Sequence, residues 1–345
     1  MWPSTALTIP RELDKTMRSG KMKAIVQNKY GSADVLELRD IDKPIFGDDE
    51  VLLRVRAAGV GPDVWHLMAG QPYLVRIAGM GFSKPKNRVR GWDVAGRVEE
   101  VGQKVTEFKP GDEVFGTCKG AFAEYACAKE ENLVRKPAAL TFEQAAALPV
   151  SGCTALQSLR ERTKVKVGQK VLVIGAAGGV GSLAVQIAKA FGAEVTGVCS
   201  TTKLDLVRSI GAHDVIDYTR EDFTDGKRRY DVIVDTAGRR SLSDLRRALV
   251  PQGILVIVGG DGGGRWFGGF QRQMLGAPFM SLRKGPKLTG MSAKIRKADL
   301  QFLAELVESG KVTPVIDSTY PLSEAAAAVR HLSGGHPKGK IIITV

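Results

Sequence analysis

Apolar and polar positions divide the chain into two stretches with different periods. From Met22 to about Ala147 the apolar runs are short and alternate with polar residues, as in Met22–Gln27 (MKAIVQ) and Glu50–Ala58 (EVLLRVRAA). A period of two places one face of a strand on a core and the other in water. Arg97–Val101, Glu113–Phe115 and Phe122–Cys127 read as further strands, with Pro110-Gly111-Asp112 turning the chain between the first two. This part is expected to be a compact β-rich domain of barrel-like form. Leu140–Arg162 then takes helical spacing, with Thr141 as N-cap, Glu143 and Gln144 in the first turn, and interruptions at Pro149 and Gly152.

Beyond it, strand-like and helix-like segments alternate. Val171–Ile174 precedes a helix over Ser182–Phe191, Glu194–Cys199 one over Lys203–Ile210, and strand Asp214–Ile216 follows. Asp231–Asp235, helix Leu242–Leu249 and Ile254–Val258 continue the series. Repeated β–α units of this length imply an α/β domain with a parallel sheet and right-handed crossovers. Asp261–Pro286 is glycine-rich, aromatic and basic and is expected to be a mobile loop with a short helix. Lys297–Ser309 reads as a helix and Lys340–Val345 as a closing strand that returns to the first domain.

Val171–Ala188 (VLVIGAAGGVGSLAVQIA) joins a strand, a glycine turn and a helix without a single charge. Such a run is long enough for a membrane span, but four glycines and the flanking Lys170 and Lys189 fit a buried strand and helix better. Ala176-x-Gly178-x-x-Gly181 is a one-substitution form of the G-x-G-x-x-G fingerprint. Glycine there lets the backbone approach a pyrophosphate, and the N–H groups of the helix start supply donors. Ala176, Gly178, Gly179, Val180 and Gly181 are therefore the candidate cofactor cradle.

Composition changes this picture little. The 345 residues are 43% hydrophobic and 25% charged, which fits a globular chain of two domains. Four cysteines without C-x-x-C spacing read as reduced thiols of a cytoplasmic protein. Residues 1–21 hold no apolar run suited to a signal peptide and read as a flexible extension. The formal net charge of +13 gathers in local clusters such as Arg239–Arg247. That favours anionic partners, including a phosphorylated cofactor or nucleic acid. No RNA- or DNA-reading motif accompanies it, so no specific nucleic acid is expected.

The order of the short motifs is more specific than any one of them. Gly91-Trp92-Asp93-Val94-Ala95-Gly96 precedes Val98-x-x-Val101-Gly102, then Pro110-Gly111-Asp112-x-Val114, Ala123-Glu124-Tyr125 and Val165-x-Val167-Gly168 before the glycine turn. From Met22 to Val345 the chain resembles the medium-chain dehydrogenase/reductase superfamily, on its zinc-free quinone oxidoreductase side. The resemblance implies a GroES-like β-barrel catalytic domain at 22–147 and 298–345. It also implies a Rossmann domain with a doubly wound parallel sheet at 148–297, and hydride transfer from a nicotinamide between the two. Homodimers are common in similar proteins.

An NAD site carries an acidic residue about twenty positions after the glycine turn, at the ribose 2′-OH. Here Ser200-Thr201-Thr202-Lys203 follows the strand instead, and Ser200, Thr201 and Lys203 suit a 2′-phosphate. Tyr218 matches a tyrosine that helps hold that phosphate in similar reductases, so the expected cofactor is NADPH. The resemblance puts the nicotinamide near Thr236, Gly238, Val258 and Gly259.

Catalytic zinc needs three Cys, His or acidic ligands and an open position. The places where zinc-dependent members of the family carry ligands correspond to Gly61, Trp92 and Val150, none of which binds metal. No metal is therefore expected, and reduction of an already polarised acceptor suits the site, namely a quinone or a carbonyl-conjugated alkene. Tyr73 matches a tyrosine beside the nicotinamide in quinone reductases, and His66 falls where alcohol-oxidising relatives keep a proton-relay histidine. Gly61, Trp65 and Trp92 are the candidate substrate pocket. Many zinc-free relatives carry Asn and Asp at the positions of Gly61 and Val64, and this chain has Asp63 instead. Two other readings stay open: a zinc-free alcohol or aldehyde oxidoreductase, and a cofactor-binding protein with an RNA-binding or regulatory role. Peripheral membrane attachment through Arg265–Lys287 competes with a gating or dimer-facing loop.

Overall fold

The structure is a computed structural model that describes residues 20–73, 76, 77, 81–259, 276, 277, 285–335 and 337–345. The N-terminal extension expected at 1–21 lies outside the described residues except for Gly20 and Lys21. The loop expected at 261–286 lies outside them except for 276, 277, 285 and 286.

The first half folds from short strands: β1 (Lys21–Gln27), β2 (Leu36–Asp42), β3 (Glu50–Val60), β4 (Asp93–Val101), β5 (Glu113–Thr117), β6 (Tyr125–Lys129) and β7 (Leu133–Arg135). Helix α1 (Pro62–Ala69) follows β3 directly. The hub is β3. It pairs antiparallel with β4 along most of its length and with β6 along its first half. Register shifts at Leu52/Leu53 and Val55/Ala57 interrupt its pairing with β4, and such bulges bend a strand enough to coil a sheet. The alternation read from Glu50–Ala58 holds over Leu53–Ala57, where Arg54 and Arg56 are exposed between buried Leu53, Val55 and Ala57; Val51, Leu52 and Ala58 are buried without alternation.

Helices α2 (Phe142–Ala146) and α3 (Pro149–Gln157) divide the segment expected as one interrupted helix. Thr141 caps α2 through a capping box with Gln144. The break falls before Pro149, which has no N–H to give and sits at the first turn of α3. Gly152 does not interrupt α3. Its amide donates to the Leu148 carbonyl (2.6 Å), and a Cβ there would stand 2.8 Å from Leu303 Cδ1. It is a packing glycine inside the helix.

The second half alternates β8 (Lys170–Ile174), α4 (Gly179–Ala190), β9 (Glu194–Cys199), α5 (Leu204–Ser209), β10 (Asp214–Asp217), β11 (Tyr230–Asp235), α6 (Leu242–Arg247), β12 (Leu249–Ile257) and β13 (Lys287–Gly290). All pairs in this sheet are parallel, and its order is β10-β9-β8-β11-β12-β13. That is the doubly wound dinucleotide-binding order, with the direction of winding reversing between β8 and β11. Both faces of β8 are covered. Val171 and Val173 pack with Leu183 and Ile187 of α4, whereas Leu172 and Ile174 pack with Leu245 of α6. A strand buried on both faces reads as a continuous apolar run.

The chain then returns through α7 (Lys297–Glu308), β14 (Ile316–Pro321), α8 (Ala325–Ser333) and β15 (Lys340–Thr344). β15 pairs antiparallel with Ala57–Val60 of β3 and parallel with β14, so the last strands complete the first sheet. One buried cluster runs from Ala57 and Phe115 through Leu148 and Leu156 to Val173 and Leu303, so the two halves share a core.

Candidate active site

The glycine turn is shaped by what glycine lacks. Gly175, after β8, has φ +78°, and a Cβ there would overlap the Thr236 hydroxyl. That hydroxyl donates to the Ile174 carbonyl (2.8 Å), tying the ends of β8 and β11 together at the reversal point. A Cβ at Gly181 would overlap the Gly175 carbonyl oxygen, so the first turn of α4 lies directly on the turn. Gly178 caps α4 without a side chain, leaving the first-turn N–H groups of Gly179, Val180 and Gly181 available to an anion. Ala176 is fully buried and its amide donates to the Val198 carbonyl (3.0 Å). The tight turn therefore belongs to Gly175, one position before the fingerprint begins.

Beside the turn, the buried Asp235 accepts from the Ala237 and Gly238 amides (3.0 and 2.9 Å). Its main-chain carbonyl takes the amides of Val258 and Gly259 (2.9 and 3.4 Å). Thr236, Val258 and Gly259 thus stand together at the strand ends that flank the turn.

At the end of β9, Ser200 and Lys203 are half-buried and Thr201 is exposed. Lys203 Nζ donates to the Pro337 carbonyl (3.2 Å). Burial holds its ammonium below the ordinary lysine range, and the charges of Lys338 and Arg239 push the same way. Three cations therefore converge here, two of them unread from the sequence. Arg239 was visible only as part of a basic cluster, and Lys338 lies 135 positions beyond Lys203. Tyr218 is exposed just past β10, its amide bonded to the Cys199 carbonyl (3.1 Å). Asp317 is the carboxylate that acts on Lys203, favouring its charge. Asp217, at the end of β10, is taken up by the Thr201 hydroxyl (2.5 Å) and by the amide and hydroxyl of Thr219 (3.0 and 2.7 Å). These bonds hold it below the usual carboxylate range.

The barrel side of the cleft is built from charges. Lys340 Nζ donates to Asp93 Oδ2 (2.7 Å) and to Ser151 Oγ (3.2 Å), and all three residues are buried. The Val150 amide donates to the other oxygen of Asp93 (2.9 Å). Gly61 begins α1 here. A Cβ at Gly61 would overlap Asp63 Oδ1 and lie 3.4 Å from Lys340 Nζ. Asp63 thus fills the volume a side chain at position 61 would take. Burial pushes its carboxyl above the usual range; Lys340 opposes that and Asp93 adds to it. A Cβ on Gly179 would stand 3.5 Å from both Lys340 Cδ and Ser151 Oγ, so this cluster abuts the start of α4. Neither Lys340 nor Ser151 carried any sign in the sequence, because their partners are remote in the chain.

His66, in the last turn of α1, holds the Gln71 carbonyl through Nδ1 (2.9 Å). A carbonyl only accepts, so Nδ1 carries the proton. Trp65 stands edge-on to His66 (centroids 4.9 Å apart) and packs against the barrel core. Tyr73 faces the Arg76 guanidinium (4.8 Å), which also covers Tyr30 (4.4 Å). Trp92 lines a cavity of about 250 Å³ with Val64 and Leu67 of α1. Among the described residues that lining includes Trp92 but not Gly61, Trp65, His66 or Tyr73.

No group of three or more His, Cys, Asp or Glu among the described residues is placed to hold a metal ion. Gly61, Trp92 and Val150 offer no donor side chain. The four thiols are free; burial pushes Cys127 and Cys153 up to about 12 and Cys199 to about 11, which leaves no thiolate near neutrality. No helix among the described residues is long and apolar enough to cross a membrane.

Comparison with known proteins gives consistent matches. A zinc-binding dehydrogenase family model matches residues 210–343, and an alcohol dehydrogenase GroES-like domain model matches residues 47–138. The 2-methylene-furan-3-one reductase of Solanum lycopersicum is 34% identical, covering 99% of this chain and 81% of its own. The chloroplastic NADPH-dependent alkenal/one oxidoreductase of Arabidopsis thaliana is 35% identical over 94% of this chain and 79% of its own. The solved quinone oxidoreductase from Coxiella burnetii superposes with a TM-score of 0.83 at 29% identity, covering 94% of this chain and 100% of that one.

Proposed function

The chain belongs to the medium-chain dehydrogenase/reductase superfamily, on its quinone oxidoreductase-like branch, and on that premise we propose an NADPH-dependent reductase of quinones and α,β-unsaturated carbonyls that works without zinc. The observation that carries the reading is a dinucleotide cradle with a cationic far end, where Lys338 and Arg239 join Lys203. The reading without zinc is supported by Gly61, Trp92 and Val150 standing at the positions the family resemblance gives to zinc ligands.

The first-turn amides of Gly179, Val180 and Gly181 would hold the pyrophosphate, with Gly178 and Ala176 shaping the turn beneath it. Ser200, Thr201, Lys203 and Tyr218, joined by Arg239 and Lys338, would hold the 2′-phosphate, and Thr236, Val258 and Gly259 would flank the nicotinamide. Bound there, NADPH supplies a hydride. The protein's own part is to bind and orient a planar acceptor against Trp92, to exclude water, and to deliver one proton. Tyr73 and His66 remain proton donors in this reading. With Nδ1 held by Gln71, His66 donates from Nε2 only as the imidazolium. Asp63 joins them, because burial favours its protonated form. Holding donor and acceptor at near-attack distance needs no covalent step.

The same proposal divides the chain into a catalytic domain at 22–147 and 298–345 and a cofactor domain at 148–297. It takes the protein to be a cytoplasmic homodimer acting on a small carbonyl or quinone. The test is NADPH against NADH consumption across quinones, enones and aldehydes. NADPH should be preferred at least tenfold. Lys203→Ala should lower kcat/KM for NADPH about tenfold, which is ~1.4 kcal/mol, and should lower it far less for NADH. No turnover with either cofactor on any acceptor overturns the reading.

A further inference from the structure

The cavity beside Trp92 holds an unbalanced charge. Its apolar wall is Val64, Leu67, Val89 and Trp92, and its remaining lining includes Arg90, Lys86 and Lys119. Arg90 is only 7% exposed. One terminal nitrogen donates to the Asn87 carbonyl (2.6 Å), whereas its Nε has no partner among the described residues. No carboxylate among the described residues pairs with Arg90, Lys86 or Lys119, and the nearby group that favours the Arg90 charge is a phenol, Tyr30. A guanidinium stays charged even when buried, and a buried charge without a counter-ion is costly. Burial accordingly works against the charge on Arg90.

Two lining residues are chain neighbours of the charge cluster already described. Trp92 precedes Asp93, which binds Lys340 of β15, and Val64 follows Asp63. At about 250 Å³ it lies just under the usual range for small-ligand pockets, enough for a short planar molecule with one charged end. A guanidinium matches a carboxylate in shape as well as charge.

We propose that this cavity is a carboxylate subsite, and that the preferred acceptor is an anionic enone whose carboxylate sits on Arg90 while its conjugated carbons lie against Trp92. The inference rests on the reductase reading for its chemistry, but binding at the subsite can be read without turnover. In the reaction the acceptor gains hydride at one alkene carbon and a proton at the other, and NADPH leaves as NADP⁺.

The matched probes are trans-4-oxo-2-pentenoate and its methyl ester, with 3-penten-2-one as a neutral acceptor. The acid should exceed the ester at least tenfold in kcat/KM. Arg90→Gln should bring that ratio near one, and the exposed Lys119→Gln, which does not threaten folding, should reduce it about threefold. Equal rates for acid and ester, or a ratio untouched by both substitutions, overturn the subsite. The saturated acid, 4-oxopentanoate, gives the separate reading by calorimetry. It should bind at least tenfold more tightly than its methyl ester and lose that advantage in Arg90→Gln. If no acceptor is reduced yet this binding difference appears, the subsite stands and the reductase reading falls. If 3-penten-2-one is reduced and neither preference appears, the reverse holds.

Discussion

The two walls of the cleft are made in different ways. On the cofactor side the geometry is backbone: Gly175 turns in the left-handed region, Gly181 lets α4 touch the turn, and amides face the opening. On the barrel side it is side-chain charge: Asp93, Lys340 and Ser151 buried together, Asp63 folded over Gly61, and Arg90 without a carboxylate. A backbone cradle serves any dinucleotide and is insensitive to the acceptor. A charged wall selects, because each buried group must find a partner in the protein or in the ligand. On the proposed reading, one wall binds the cofactor and the other chooses the acceptor.

The strongest way to break that division is at the seam, where the barrel's charge cluster meets α4. Lys340→Met leaves Asp93 buried without its counter-ion, and removing one member of a buried pair typically costs about 3–5 kcal/mol. Denaturant unfolding should show a loss of that size. Asp93→Asn in the same background should recover part of it by removing the orphaned charge. A loss below about 1 kcal/mol, with no recovery, would mean that water reaches the cluster and that the barrel wall is not built on buried charge.

The backbone wall gives the next effect. Gly181→Ala forces a Cβ onto the Gly175 carbonyl, and overpacking of this kind costs about 1–3 kcal/mol. Thermal unfolding should register that loss, and dinucleotide binding followed by nucleotide fluorescence should weaken about tenfold or more. NADPH and NADH should weaken alike, since the turn does not touch the 2′-phosphate. A selective loss of NADPH binding would contradict a generic cradle.

How far each wall was legible follows from the same contrast. The strand, turn and helix of Val171–Ala188 stand out because spacing along the chain is itself the geometry. Ser200 and Lys203, proposed for the 2′-phosphate, follow β9 directly and so could be named from the chain, whereas Arg239 and Lys338 reach that corner from distant segments. Asp93 sat inside a motif, but its partner Lys340 lies 247 residues away and looked like the first residue of a strand. Among the elements, β2 escaped notice because five of its seven residues are exposed and no alternation survives. β14 has no fully buried residue. Gly152 was misread because a glycine that makes room for Leu303 looks, in one dimension, like one that ends a helix.

Asp63 provides the finest test, because it stands where the walls meet and its effect has a sign. Burial raises its carboxyl, Lys340 of β15 pulls it down and Asp93 of β4 pushes it up, with burial dominant. A carboxyl raised on folding contributes stability that is fully present below its unfolded pKa, about 3.9, and lost as pH rises through its folded value. Asparagine cannot titrate, so the stability of Asp63→Asn relative to the wild type should rise with pH from about 4 upward. The gain should appear as a Tm difference of a few degrees at most, widening toward neutrality. Activity should move the other way: if Asp63 delivers the proton, the wild-type rate falls as the carboxyl ionises, and the variant lacks that limb of its pH profile. Parallel Tm curves across the range would place Asp63 in water rather than in the cluster. A shared pH–rate profile would return the proton to Tyr73 or His66.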